Sequence, residues 1–163
     1  MAKYLANLYI IARHIIDIDP QIDVMYYVDG QASLTTDEGR IEKTALKLLD
    51  FECNRDVFIG SKICFVTANA GHGKTLLLRQ YQRNQAKKYI KGESDYLFLH
   101  IDLHGHDLRK LDAVIMYELA GVLRMPGLYT NSIITLMRNG LLILGVDGFD
   151  ELAVETGGEK AIG

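Results

Sequence analysis

"KICFVTANAGHGKTLLL" (Lys62–Leu78) decides the fold. Its first part, Lys62–Ala68, is a short β-branched and aromatic run of the kind that forms a buried strand, and its last part opens a helix that runs to about Lys91. Between them, Ala68-Asn69-Ala70-Gly71-His72-Gly73-Lys74-Thr75 fits the pattern GxxxxGK(S/T), with alanine in place of the first glycine. Gly71 and Gly73 let the backbone curl so that successive N–H groups point inward, which makes a concave anion site at the positive end of the helix. Lys74 then supplies a mobile point charge for the outer phosphates of a nucleotide, and the Thr75 hydroxyl supplies an oxygen for Mg²⁺. Ala68, Asn69, Ala70, Gly71, His72, Gly73, Lys74, Thr75 and Leu76 are the residues expected to surround the phosphates. The first motif position closes the strand end, so the Ala68 methyl group is tolerated there, and His72 faces solvent or an adenine edge with no chemistry of its own.

Downstream the chain alternates. "DYLFLHIDL" (Asp95–Leu103) predicts a strand covered on both faces, because its apolar run is interrupted only by His100 and Asp102. Leu108, Leu111, Ile115, Leu119 and Val122 mark one side of a helix ending before Pro126-Gly127. A shorter helix near Ser132–Arg138 stops at the cap pair Asn139-Gly140, and "LLILGV" (Leu141–Val146) is the next strand. Strands separated by helices imply parallel pairing with crossover helices, hence an α/β fold with a layered, mostly parallel sheet.

Upstream, Tyr4, Leu5, Leu8, Ile11, Ala12 and Ile15 recur at helical spacing and predict a packed amphipathic helix ending before Pro20. A short extended piece, "QIDVMYYVDGQAS", closes on the turn signal Asp29-Gly30. A further helix is expected beyond it, with Ile41, Ala45, Leu48 and Leu49 on one face and Thr35 or Thr36 capping its start ahead of Asp37 and Glu38.

"LLILGVDGFDEL" (Leu141–Leu152) supplies the other half of the site. A buried strand ending in an acid places Asp147 at the carboxyl edge of the sheet, where ligands bind in open α/β folds and where the carboxylate can hold the metal. Asp150 and Glu151 follow on the turn, where one acid can orient and partly deprotonate an attacking water; the plainer alternative is that both are helix-start acids favoured by the dipole.

"ANAGHGKT" and "LLILGVDGFDEL" together resemble the NACHT type of STAND nucleoside triphosphatases, signal-transducing members of the P-loop NTPases. Members of that family put a small residue after the Mg²⁺-binding aspartate and an acidic pair two positions on; here these are Gly148 and Asp150-Glu151. The resemblance covers about Ile63 to Leu152 and implies a three-layer P-loop sandwich binding ATP and Mg²⁺. It also implies Thr75 and Asp147 as metal ligands, Lys74 and Asp150 as the catalytic groups with Glu151 as helper, and a nucleotide-controlled switch that works through a protein partner or self-assembly. Such switches serve defence against phage in microbes and innate immunity in animals. "YYVDGQAS" is similar to the aromatic-glycine motif that contacts adenine in the family, which would give Tyr27 or Val28 that role, but the usual arginine and glutamate are absent. Gly145 replaces a usually bulky strand residue and signals a close backbone approach or a bulge. The family's sheet places a further strand between the one feeding the phosphate loop and the one ending at the aspartate. Residues beyond Asp147 carry no apolar run for it, so the expectation is a C-terminally truncated, incomplete sheet, with completion by the N-terminal segment or another chain as the alternative. The corresponding division is an N-terminal helical and linker region over 1–50 and an NTPase domain over 51–163.

Composition bounds the rest. At 163 residues, 48% apolar and 24% charged, the chain has the make-up of one soluble globular domain. A net charge of -3 and a pI near 5.9 give no general pull toward nucleic acid or an anionic membrane. Arg13 and His14 interrupt the apolar N-terminal stretch well short of the ~20 residues a membrane span needs. Two cysteines cannot staple a fold, Cys64 reads as a small hydrophobe in its strand, and a reducing cytoplasm fits. His100, Asp102, His104 and His106 in "HIDLHGHD" form either a metal cluster, which no cysteine supports, or a polar strand end near the nucleotide. Arg79, Arg83, Lys87, Lys88 and Lys91, with Tyr81 and Tyr89 between them, read as the solvated face of the helix after the loop rather than a nucleic-acid surface. A module that binds nucleotide or a partner without turnover is the alternative to an ATPase.

Overall fold

A computed structural model describes residues 2–18, 27–36, 39–54, 63–69, 71–103, 111–117 and 130–148. In chain order these form helix α1 (Ala2–Ile18), strands β1 (Gln31–Thr36) and β2 (Gly39–Thr44), helices α2 (Ala45–Cys53) and α3 (Lys74–Ile90), strand β3 (Leu97–Asp102), helices α4 (Leu111–Tyr117) and α5 (Thr130–Arg138), and strand β4 (Leu142–Asp147). The class is mixed α/β. β3 and β4 pair in parallel, with Leu97 opposite Leu142 and Asp102 opposite Asp147, and α4 and α5 lie on the connection between them. The expected α5 stop is present: Gly140 has φ +67, its N–H donates to Met137 O at 2.9 Å, and Leu141 N–H reaches Leu136 O at 2.9 Å. This double bond is the Schellman closure that a left-handed residue permits.

Side-chain alternation along β3 sorts the core into two clusters. Leu97, Leu99 and Ile101 join Leu8, Ile11, Ala12 and Ile15 of α1, Val114 of α4, Ile133 and Leu136 of α5, and Leu142 of β4. Phe98 points the other way, into a cluster with Leu49 of α2 and Leu77, Leu78 and Tyr81 of α3. The apolar face of α1 is thus spent inside the same core as the sheet; the side chains of Tyr4 and Leu5 lie outside the described set. Tyr81 and Phe98 meet edge to face, centroids 4.9 Å apart, and the buried hydroxyls of Tyr81 and Tyr96 are 2.8 Å apart.

Three sequence expectations change. β1 and β2 pair as antiparallel strands where the start of a helix was expected: Leu34 pairs with Ile41, Thr36 with Gly39, and α2 begins only at Ala45, while Asp37 and Glu38 lie outside the described residues. Thr35, Thr36 and Ile41 are β-branched, and a cross-strand Leu34–Ile41 contact rewards an extended backbone where a helix would gain little. Thr44 occupies the N-cap position with no side-chain cap bond. Asp29 caps instead, its Oδ1 accepting Leu46 N–H at 3.1 Å and the Tyr27 hydroxyl at 3.0 Å, while Ala45 N–H donates to Gly30 O at 2.8 Å. Second, Ile63–Asn69 is not a strand. Ile63 and Phe65 are each 77% exposed, and Cys64 is exposed too. A continuous apolar run forms a central strand only with partners on its edges and cover on its faces. The two-stranded parallel sheet among the described residues supplies it with neither. Third, the basic run on α3 is only partly a solvated face. Lys88 bonds Asp50 at 2.8 Å, Arg83 reaches Ile16 O at 3.4 Å, and Tyr81 is buried.

Candidate functional site

The loop enters α3 through two left-handed glycines, Gly71 at φ +77 and Gly73 at φ +78, an angle that a side chain would strain. His72 N–H and Nδ1 both approach Asn69 O, at 3.3 and 3.2 Å, so His72 closes the turn and faces solvent. Gly73 is the N-cap, no side chain caps this end, and the first turn holds no acid. The first bond within the helix runs from Leu77 N–H to Gly73 O at 2.8 Å. The N–H groups heading the helix therefore have no acceptor inside it, and no acid of the helix's own first turn compensates the positive end of the dipole. Lys74 Nζ donates to Ala68 O at 2.9 Å, so the ammonium crosses the mouth of the loop. Ala68 and Asn69 are exposed, and Thr75 and Leu76 are half-buried. Ala70 lies outside the described residues.

α3 runs antiparallel to β3. Gln85 Nε2 donates to Tyr96 O at 3.3 Å, Tyr81 meets Phe98, and Gln82 Oε1 accepts the backbone N–H of His100. Thr75, Arg79 and Gln82 are spaced i, i+4, i+7 and share one face of the helix. Arg79 bears electrostatically on His100. Four residues, about 6 Å along the axis, carry that face from Arg79 up to Thr75. In the same direction β3 ends at Asp102 and β4 at Asp147, side by side in register.

Asp147 is only 7% exposed. Its Oδ1 accepts the Gly148 N–H at 2.9 Å, while its buried Oδ2 has no hydrogen-bond partner among the described residues. His100 Nε2, also buried and without a hydrogen bond among the described residues, faces that oxygen at 3.7 Å. Burial pushes the His100 imidazole below its ordinary value of 6.5, against the pull of the Asp147 charge and with Arg79 adding to the depression. A buried carboxylate oxygen with no hydrogen-bond donor among the described residues has the chemistry of a hard-cation ligand.

The structure thus brings the Thr75 face of α3 and Asp147 to the same edge of the fold. Asp150 and Glu151 lie outside the described residues, as do His104 and His106. Among the described residues no group of three His, Cys, Asp or Glu could hold a metal, and no helix is long and apolar enough to cross a membrane. Tyr27 packs beside the Leu77–Leu78 cluster and is tied to Asp29, whereas Val28 is 85% exposed. Sequence reasoning missed the facing of His100 and Asp147. Its signal was indirect: only the β3–β4 register tells that a histidine two residues short of Asp102 lies beneath the partner strand's terminal acid. The chain matches no family model, and comparison with curated proteins and with solved structures finds no match either.

Proposed function

We propose that this chain is an ATP-binding, Mg²⁺-dependent P-loop NTPase of NACHT type, acting as a nucleotide-controlled switch within a three-layer sandwich whose sheet extends beyond the two described parallel strands. The observation that carries the proposal is the common edge. Supporting it, the helix that starts without a side-chain cap at Gly73 runs antiparallel to β3 along its Thr75–Arg79–Gln82 face, and β4 ends beside β3 at Asp147, whose buried Oδ2 has no hydrogen-bond partner among the described residues.

The roles follow from chemistry. The N–H groups at Gly71–Leu76 hold the phosphates, and Lys74, relinquishing Ala68 O, pairs with their outer oxygens. Thr75 and Asp147 would hold Mg²⁺, which supplies neutralisation of phosphate charge when bound. Asp150, with Glu151 beside it, would take the proton of the attacking water. Loss of the terminal phosphate removes charge from the start of α3, and through Gln82 and His100 that helix is tied to β3. A protein partner or a second copy would read the resulting change, in keeping with antiviral or innate defence.

Calorimetric titration with Mg-ATP and Mg-GTP tests this. Saturable binding to the wild type, weakened about 10- to 100-fold in Lys74→Ala for the loss of a charge-assisted phosphate contact, is the expected result. Phosphate release abolished in Asp150→Asn with binding retained marks an enzyme; binding with no turnover in either protein marks a nucleotide-holding module. No saturable binding of either nucleotide refutes the proposal.

A further inference from the structure

We propose that His100 is the positioning residue for the metal-binding carboxylate of Asp147, an inference that rests on the Mg-nucleotide site proposed above. Oδ1 of Asp147 is fixed by the Gly148 N–H, and Oδ2 is buried facing His100 Nε2 at 3.7 Å, with neither facing atom hydrogen-bonded among the described residues. A carboxylate only accepts, so the ring presents its Nε2–H to the oxygen. A closure of about 0.7 Å makes this a hydrogen bond.

The backbone N–H of His100 is held by Gln82 of α3, and its register partner is Gly145, which presents no side chain. His100 is therefore held by the phosphate-loop helix while it faces the acid of the neighbouring strand. One lone-pair direction of the carboxylate belongs to Gly148 and one to His100, and of the roughly four that a carboxylate offers, two are left for the cation. Without the imidazole the carboxylate can swing about its Cα–Cβ bond, and the metal meets an unoriented ligand. Partners that orient ligating groups in this way are typically worth about 10- to 100-fold in metal affinity.

The test compares wild type, His100→Leu and His100→Gln, with His100→Ala as a second donor-less variant should leucine prevent folding. ATP affinity is measured with EDTA, and the Mg²⁺ concentration for half-maximal tightening of ATP binding is then measured by titration. The donor-less variants are expected to need about 10- to 100-fold more Mg²⁺ with EDTA-state affinity within about twofold of wild type, and His100→Gln, which restores an N–H donor, to recover most of the difference. An unchanged Mg²⁺ requirement in the donor-less variants overturns the inference and leaves the site intact. So does an equal loss of affinity with and without Mg²⁺, which marks a structural role alone. A wild type that shows no Mg²⁺-dependent ATP binding overturns the site and the inference together.

Discussion

Gly145 carries the sharpest stability prediction. A Cβ built there lies 2.2 Å from Cζ of Phe98, 2.7 Å from Cε1 and 3.2 Å from Cε2. Carbon atoms rest at about 3.5–4.0 Å, so the ring of Phe98 must retreat by more than ~1 Å. It has little room, because it is 3% exposed and sits edge to face against Tyr81, whose hydroxyl is committed to Tyr96. Overpacking of this kind costs about 1–3 kcal/mol. Gly145 is not among the glycines with positive φ, so alanine suits its backbone and recovers about 0.4–1 kcal/mol from the unfolded chain. The net expectation for Gly145→Ala is a loss of about 1–2 kcal/mol, roughly 2–8 °C in Tm for a chain of this size. Urea and thermal unfolding of Gly145→Ala, Phe98→Leu and the double variant decide the cause as well as the size. Removing the ring atoms that clash should make the two changes less than additive by about 1 kcal/mol. A Gly145→Ala protein as stable as wild type, or strictly additive variants, would show that the ring is not the obstacle.

Two further outcomes rest on the other side of the core. Burial pushes the Asp29 carboxyl up, but the nearby Thr44 hydroxyl, the Leu46 N–H, the Tyr27 hydroxyl and the Lys47 charge outweigh it and hold it below the ordinary 3.8. Its contribution to stability is therefore complete above that value and is lost as the pH falls through the lower folded-state value. Asp29→Asn should flatten this acid limb in pH-dependent thermal unfolding, and Asp29→Ala should cost about 1 kcal/mol at pH 7 by removing the cap of α2; an unchanged acid limb in Asp29→Asn refutes the assignment. Tyr81→Phe should lower stability by about 1–2 kcal/mol in urea unfolding, because the buried Tyr96 hydroxyl loses its partner. A change below ~0.3 kcal/mol would mean that the hydroxyl pair is dispensable.

Elements with a strong period were legible in the sequence. The apolar spacing of Leu8, Ile11, Ala12 and Ile15 gave α1, the unbroken run around Leu97–Ile101 gave a strand covered on both faces, and Asn139-Gly140 gave the end of α5. Gly145 was rightly marked for a close approach. The hairpin was lost because Asp37 and Glu38 look like first-turn acids, and because only β1 alternates, with Ala32 and Leu34 half-buried, whereas the half-buried Ile41 and Thr44 of β2 are three residues apart. The cap of α2 was lost because its carboxylate comes from Asp29, across the whole hairpin, where local spacing carries no signal. The run at Ile63–Val66 has the composition of a central strand, but composition states only what a segment can pair with and not whether a neighbour is there. The backbone turns at Gly71 and Gly73 and the helix start at Lys74 were local and therefore readable, whereas the meeting of His100 with Asp147 depends on register between strands far apart in sequence.

The bond from Ala45 N–H to Gly30 O, with Gln31 and Thr44 paired just inside it, has a consequence for engineering. The polypeptide departs and returns at a single point, so β1 and β2 form a side excursion clasped at its root by Asp29. A reporter or affinity module spliced between Thr36 and Gly39 would hang from that clasp, leaving the main path from α1 to α3 uncut.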